Sequence, residues 1–121
     1  RLMYTYNCEI TRVVDGDTCD ITLDLGFNIM HKARVRLHGI NAPESRTRDK
    51  EEKYRGLQAK ARFMDLVKDR PTRVISHDKG KYGRVLGEIL IESKKTKDNW
   101  LNVNKQLVKE GHAVEYFGGK R

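Results

Sequence analysis

The segment on either side of Gly16 constrains the fold of this 121-residue chain most strongly. Residues 6–14 are rich in Thr, Val and Ile, and residues 18–25 alternate between apolar and polar side chains. Such an alternation is typical of a strand with one buried face, and Asp-Gly between two strands favours a tight hairpin. Residues 30–37 predict a third strand after the turn at Gly26. The first third of the chain is therefore predicted to form an antiparallel meander that can curl into a barrel.

A helix is predicted after the sheet pattern ends at Pro43. Residues 44–53 are highly charged and predict a solvated, mobile loop. From residue 56 to residue 68, apolar side chains recur at helical spacing among good helix formers. The helix should end before Pro71, because the residue preceding a proline avoids the helical conformation. The expected apolar face consists of Leu57, Ala61, Met64 and Val67.

The remaining elements decide the predicted fold class. Residues 72–77 and 85–91 predict two further strands, and Asn102 predicts the N-cap of a short helix that stops at Gly111. The resulting mainly β (α+β) arrangement fits a five-stranded OB-fold barrel with two or three packed helices. A ferredoxin-like split sheet is the alternative, although a helix should then interrupt the first strands. With a mass of 14.1 kDa, residues 1–121 are expected to form one domain.

The charge balance limits the classes of partner. The chain has 25 Lys and Arg against 17 Asp and Glu, a net charge of +8. This surplus favours a polyanionic partner such as nucleic acid, with simple solubility as the alternative. No apolar run approaches the ~18 residues of a membrane span. Binding to a membrane surface is not expected either, because no stretch combines a basic face with a sustained apolar face. Cys8 and Cys19 should not face each other across the hairpin, so no disulfide is predicted.

Carboxylates cluster at the predicted hairpin tip. Asp15 and Asp17 flank Gly16, so both can point towards the mouth of a barrel. Hard cations such as Ca²⁺ prefer oxygen ligands. Asp17 is the better candidate ligand, because Thr18 beside it can position a water or a carbonyl. The alternative is that Asp-Gly-Asp serves only as a turn.

Three further side chains suit the chemistry of a phosphodiester. Its negative charge must be neutralised, and a water must be oriented or deprotonated for in-line attack. Arg36 offers a planar guanidinium to the phosphate, and Glu44 offers a carboxylate to the water, although a salt bridge between them is the alternative. Arg84 ends a glycine-bearing loop in which Tyr82 can stack on a base. A basic hairpin tip is the alternative there. The four histidines share no metal-ligand spacing and are expected to be structural or exposed.

Several motifs, taken jointly, resemble the staphylococcal-nuclease (thermonuclease) family. They are V-V-D-G-D-T (13–18), V-R-L-H-G-I-N-A-P-E (35–44), E-K-Y (52–54), K-Y-G-R (81–84) and L-V-K-E-G-H-A (107–113). The resemblance implies an OB-fold barrel with packed helices and a Ca²⁺-dependent phosphodiesterase. Such enzymes cut DNA and RNA with little sequence preference and leave 3′-phosphate ends.

The resemblance also implies roles for individual residues. Asp17 looks like the principal Ca²⁺ carboxylate, and Asp15 resembles an acid beside the metal. Arg36 and Arg84 look like the two phosphate-binding arginines, and Glu44 looks like the carboxylate of the attacking water. The positions expected to contact the nucleotide are Lys81, Tyr82 and Tyr116.

One departure from the family concerns the metal site. The family's best-known member has a second metal carboxylate followed by a threonine, where this chain has Asn41 followed by Ala42. An amide oxygen and a backbone carbonyl can still ligate Ca²⁺. The expected ligands are therefore Asp17, Asn41 and a carbonyl near Ala42, with weaker affinity than two carboxylates would give.

A catalytically inactive OB-fold module that binds nucleic acid is the alternative function. Loss of the arginines or of the metal carboxylate would mark such a module, and this chain retains all of them. We further expect a monomer that acts preferentially on single-stranded nucleic acid, and the family resemblance favours export from the cell.

Overall fold

The computed structural model describes residues 4–79, 84–96 and 98–117. The first three strands form the expected meander, in which β2 pairs antiparallel with both β1 and β3. A two-residue turn at Gly16 and Asp17 joins β1 to β2. The strands are β1 (Tyr4–Asp15), β2 (Thr18–Asp24), β3 (Met30–Leu37), β4 (Ile40–Asn41), β5 (Thr72–Lys79), β6 (Val85–Glu92), β7 (Trp100–Asn102) and β8 (Val114–Glu115).

Five strands close into a barrel. They follow the order β3-β2-β1-β5-β6, and β6 returns to pair in parallel with β3 through Val35–Val85, Arg36–Leu86 and Leu37–Gly87. β7 adds to the outer edge of β6. The α+β OB-fold barrel predicted from the sequence is confirmed, and the ferredoxin-like alternative is wrong, because no helix interrupts the first three strands.

The barrel interior is apolar, and the hairpin register separates the two cysteines. Cys8 lies opposite Leu23 and Cys19 lies opposite Val13, so the two thiols do not meet across the strands. Both are free thiols, and burial raises the pKa of Cys8 to about 12.

No helix in the described part of the chain has both the length and the hydropathy to cross a membrane.

Helix α1 (Lys50–Val67) begins six residues earlier than the sequence pattern indicated. The side chain of Asp49 caps it by accepting hydrogen bonds from the backbone N–H groups of Glu51 and Glu52, at 3.0 and 3.2 Å. These two carboxylates also lie in the first turn, where the helix dipole favours negative charge. The prediction of a loop over residues 44–53 was therefore wrong for its last four residues, because capping outweighed their polarity.

The buried face of α1 also differs from the predicted one. Leu57 and Met64 are exposed, with 46% and 51% of their surface accessible. A neighbouring stripe is buried instead, formed by Gly56, Ala59, Phe63 and Leu66. Its small residues allow the helix to lie directly against the hairpin: a Cβ atom built on Gly16 would lie 2.6 Å from that of Ala59. Close backbone approach at Gly56 and Ala59 and burial of Phe63 and Leu66 together fix the orientation of this helix.

Helix α2 (Val103–Lys109) has the predicted cap and stop. Asn102 accepts a hydrogen bond from the N–H of Lys105 at 3.1 Å, and Gly111 has a φ of +83°, which favours glycine after a helix. The chain then forms β8, which pairs with β4 next to the end of β3. This pairing sets the segment after α2 against the strand that carries Asn41.

Candidate active site

One cavity of about 670 Å³ gathers eight of the residues singled out in the sequence. It lies where the β1–β2 turn, the end of β3, β4, the start of β6, α1 and the segment after α2 meet. We call it the Asp17 cavity. The eight predicted residues that line it are Asp15, Asp17, Thr18, Arg36, Asn41, Ala42, Glu44 and Arg84.

Asp17 is the central carboxylate of this cavity and is 8% exposed. One carboxylate oxygen accepts a hydrogen bond from the Thr18 hydroxyl at 3.0 Å, and the other accepts one from the backbone N–H of Ala42 at 2.8 Å. Its backbone carbonyl accepts from the N–H of Leu37 at 2.8 Å. These bonds tie the hairpin turn to β3 and to the residue after β4, so Asp17 has a fixed position.

Arg36 lies beside Asp17, with 3.4 Å between Nη1 and the Asp17 carboxylate. Its Nη1 donates to the carbonyls of Leu37 and Ile40 at 3.1 and 3.0 Å, and its Nη2 donates to the Asn41 amide oxygen at 3.2 Å. The described residues thus use three of the five guanidinium N–H groups. Two remain to meet a phosphate, from a guanidinium whose orientation is already set.

The donor set of the cavity suits a hard cation. The carboxylate of Asp17 and the amide oxygen of Asn41 are both oxygen ligands, and five carboxylates line the cavity against three guanidinium groups. The described residues contain no cluster of three or more His, Cys, Asp or Glu side chains with metal-binding geometry. Any cation here would therefore depend on amide and backbone oxygens in addition to Asp17.

Glu44 is exposed, but its backbone is held from two sides. On one side, the hydroxyl and the N–H of Ser45 both donate to the Asp15 carboxylate. On the other side, the N–H of Glu44 donates to Glu52 at 3.1 Å, and α1 lies so close that a Cβ on Gly56 would be 2.3 Å from the Glu44 carbonyl oxygen. Asp15 thus helps to fix the position of the segment that carries Glu44.

Arg84 reaches the same cavity from the start of β6 and is half-buried. Because Val85 pairs with Val35, the barrel closure brings Arg84 close to the strand position of Arg36. Lys81 and Tyr82 fall outside the described residues, so their predicted nucleotide contacts remain predictions. Tyr116 donates its backbone N–H to the Gly39 carbonyl at 2.8 Å and is not among the residues that line the Asp17 cavity.

Comparisons with known proteins identify the family of the chain. The profile of the family described as "Staphylococcal nuclease homologue" matches residues 34–121. The chain belongs to this family. Members similar to it include Protein ParB of Escherichia coli, at 33% identity over 93% of this chain, and Micrococcal nuclease of Shigella flexneri, at 31% identity over 89%. Endonuclease YhcR of Bacillus subtilis (strain 168) is 32% identical over 93% of this chain.

The chain spans only part of these family members. It covers 59% of the Escherichia coli protein, 57% of the Shigella flexneri protein and 9% of the Bacillus subtilis protein. The comparisons therefore establish the family of this segment, and the fold of the family agrees with the observed barrel.

Sequence reasoning missed other residues of the Asp17 cavity. They are Glu52, Arg55, Gln58, Glu110 and His112. All three lie on α1, but only Glu52 falls in the segment that had been assigned to a loop. Asp49, with Glu51 and Glu52 shortly after it, was the capping signal that could have revealed the start of this helix. The Glu110 carboxylate accepts hydrogen bonds from Arg62 and Gln106, and these bonds lower the pKa of Glu110 to about 2.

Proposed function

We propose that this chain is a nuclease domain that hydrolyses phosphodiester bonds of DNA and RNA with little sequence preference and leaves 3′-phosphate ends. One observation carries the proposal: Asp17, Arg36, Glu44 and Arg84, which are far apart in sequence, line a single cavity. The names of two relatives, a micrococcal nuclease and an endonuclease, support the same activity.

The arginines are proposed to bind and neutralise the scissile phosphate. Arg36 and Arg84 line the same cavity, and Arg36 is held by three hydrogen bonds to the protein. A guanidinium that is already oriented loses little side-chain entropy when it accepts a phosphate as partner. Charge that develops on the phosphoryl oxygens would then meet fixed donors, which is the main electrostatic contribution to such a reaction.

Glu44 is proposed to orient the attacking water or to accept its proton. Its carboxylate is exposed at the mouth of the cavity, where solvent has access. The bonds from Ser45 to Asp15 and from the Glu44 N–H to Glu52 fix the backbone that carries it. Placing a general base within reach of the water requires such fixation, because small displacements reduce the rate strongly.

Calcium is the proposed cofactor, held by Asp17, Asn41 and a carbonyl near Ala42. When bound, it would supply Lewis-acid polarisation of a phosphoryl oxygen. Arg36 lies 3.4 Å from the Asp17 carboxylate, and Asn41 is neutral, so the local negative charge is small. We therefore expect weak metal binding.

Incubation with single-stranded DNA tests the proposal. Wild-type protein should cut the DNA in Ca²⁺, should stop in EDTA, and should leave ends that a 3′-phosphatase can convert to hydroxyls. Arg84→Ala should remove most of the turnover, by about 10²–10³-fold. Undiminished cleavage by this variant would refute the role of Arg84, and binding without any cleavage by the wild type would identify an inactive nucleic-acid-binding module instead.

A further inference from the structure

A second cavity, of about 710 Å³, lies between the C-terminal half of α1, the turn after β6, and β7. We call it the Trp100 cavity. Among the described residues, its lining contains four cationic side chains and no carboxylate: Arg62, Arg70, Lys94 and Lys95, together with Leu66, Ser93, Asn99, Trp100, Leu101 and Gln106. The charge of Arg62 is balanced by Asp65 and Glu110, which leaves three cations to act on a ligand.

Lys94 and Lys95 lie in a turn that is held by hydrogen bonds to Ser93. The Ser93 hydroxyl accepts hydrogen bonds from the N–H groups of Lys95 and Thr96, at 3.2 and 3.4 Å. The Ser93 N–H donates to the Asn99 carbonyl at 2.7 Å and closes the turn. Lys94 and Lys95 are therefore presented next to each other from a fixed backbone.

Trp100 provides an aromatic surface beside these cations. The Arg73 guanidinium lies 4.1 Å from the centre of its ring and is itself fixed by a hydrogen bond to Asn7 at 3.2 Å. Arg73 is not among the residues that line the Trp100 cavity, whereas Trp100 is. The indole is thus held by an arginine outside the cavity while it forms part of the wall.

Arg70 adds a third cation to the lining of the Trp100 cavity. Its Nε is buried and has no hydrogen-bond partner among the described residues. Because a buried atom is not accessible from the cavity, Arg70 would attract a bound phosphate through its positive charge rather than through this donor.

The Trp100 cavity adjoins the Asp17 cavity. Glu110 lines the Asp17 cavity. Its carboxylate accepts hydrogen bonds from Arg62 at 2.6 Å and from Gln106 at 2.6 Å, and both of these residues line the Trp100 cavity. One layer of side chains therefore separates the two. A polynucleotide strand bound in both cavities would cross this layer.

The geometry points to a second nucleic-acid site: the Trp100 cavity binds phosphates and one base of the strand whose scissile linkage lies in the Asp17 cavity. Stacking on an aromatic ring and contacts from lysine and arginine are the general means of holding single strands without sequence preference. The inference rests on the proposed function, because it assumes that a polynucleotide occupies the Asp17 cavity. It predicts that a long strand is held more firmly than a dinucleotide.

Tryptophan fluorescence tests occupancy directly, because Trp100 is the single tryptophan of the chain. The Arg84→Ala variant in EDTA is titrated with oligothymidylate of twenty nucleotides and with thymidine dinucleotide. The long strand should quench the emission, and the dinucleotide should leave it unchanged. Absence of quenching by saturating twenty-mer, bound as judged by anisotropy of a labelled strand, would overturn the inference.

Charge reversal tests the role of the lysines. Lys94→Glu/Lys95→Glu should weaken binding of the twenty-mer about tenfold and lower the salt dependence of binding, because two phosphate contacts are lost. Cleavage of the dinucleotide should be unchanged. The matched control is Lys32→Glu/Lys105→Glu, an equal charge change at two exposed lysines that line neither cavity. Equal weakening by the control would contradict a local site.

The two proposals fail in distinguishable ways. Cleavage of DNA by the wild type without quenching of Trp100 would overturn the second site and leave the nuclease assignment intact. Quenching without cleavage would overturn the nuclease assignment and retain nucleic-acid binding at the Trp100 cavity. Melting temperatures of both double variants should match the wild type within a few degrees, which excludes unfolding as the cause of lost binding.

Discussion

The Asp17 cavity has two sides that are built in different ways. Its Asp17 side, formed by Asp17, Arg36, Asn41 and Ala42, is held by direct hydrogen bonds among the functional groups themselves. Its Glu44 side is held through neighbours: Asp15 and Glu52 bond the backbone around Glu44, while the Glu44 side chain is exposed. Substitutions on the Asp17 side should therefore lower both activity and stability, whereas activity at the Glu44 side should depend on the position of α1.

The largest expected effects follow the loss of either arginine of the cavity. Arg36→Ala and Arg84→Ala should both lower kcat/KM on single-stranded DNA by about 10²–10³-fold. Arg36→Ala should also lower the free energy of unfolding, by about 3 kcal/mol, because it removes the ion pair with Asp17 and the donor to Asn41 and to two carbonyls. Chemical denaturation of the Arg36→Ala variant measures this loss.

Arg34→Ala is the matched control for Arg36→Ala. Arg34 lies on the same strand and pairs with Asp20 at 2.7 Å, but its side chain is 46% exposed. Its loss should change stability by less than about 1 kcal/mol and leave activity unchanged. Equal losses of stability in the Arg36 and Arg34 variants would show that the hydrogen bonds of Arg36 do not link the Asp17 side to stability.

Gly56→Ala should disturb the Glu44 side of the cavity and leave the Asp17 side in place. The added Cβ would lie 2.3 Å from the Glu44 carbonyl oxygen and 2.7 Å from the Ser45 nitrogen, so α1 or the Glu44 segment must move. We expect a loss of about 1–3 kcal/mol in stability and a clear loss of turnover. Calcium binding measured by calorimetry should persist, because the Asp17 side does not contact Gly56.

The neighbouring Leu57→Ala serves as the control for Gly56→Ala. Leu57 is 46% exposed on the same helix, and its truncation should affect neither stability nor turnover appreciably. If Gly56→Ala retained full activity, the backbone position around Glu44 would not be critical.

Asn41→Asp tests whether residue 41 on the Asp17 side contributes a metal ligand. The substitution adds a second carboxylate beside Asp17, and affinity for Ca²⁺ rises with the number of charged ligands. We expect calorimetric Ca²⁺ titration to show about tenfold tighter binding than in the wild type. Equal or weaker binding by the variant would show that residue 41 does not contact the metal.

The smallest expected effect concerns Glu110, which links α2 to α1 through Arg62. Because the pKa of Glu110 is lowered to about 2, its carboxylate stabilises the fold above its ordinary pKa of 4.5, and this contribution is lost as the pH falls through 2. Glu110→Gln should lower the melting temperature by about 2 °C at pH 6. The two proteins should converge near pH 2; a constant difference across this range would contradict the assignment.

Local patterns were sufficient to predict most of the barrel. The alternation in β2 and the Asp-Gly turn are properties of adjacent residues, so the meander could be read from the sequence. The start of α1 was missed because the mixed charges of residues 44–53 resemble a loop, and the cap at Asp49 was overlooked. Periodicity alone could not identify the buried face of α1, because the stripe of Leu57 and Met64 and the stripe of Ala59, Phe63 and Leu66 both have helical spacing, and the close approach of Gly56 to Glu44 that accompanies the second depends on the tertiary fold.

The candidate site required more than local patterns. Asp15, Asp17, Arg36, Glu44 and Arg84 were singled out through the joint resemblance to a family, since each motif alone had an ordinary alternative. Glu110 and His112 reach the cavity only because β8 pairs with β4 and fixes the segment that follows α2. Both residues lie in the motif L-V-K-E-G-H-A (107–113), but the motif alone does not show that they reach the cavity.

The parallel pairing of β3 with β6 has a consequence for the order of events during folding. Arg36 pairs with Leu86, and Arg84 directly precedes Val85, so the two arginines come together only when this ladder forms. The ladder joins segments that are distant in sequence, so a long loop must be closed before it can form. During refolding, hydrolytic competence should therefore emerge only after this loop has closed, and a chain still emerging from the ribosome, with β6 not yet made, would hold the two arginines apart.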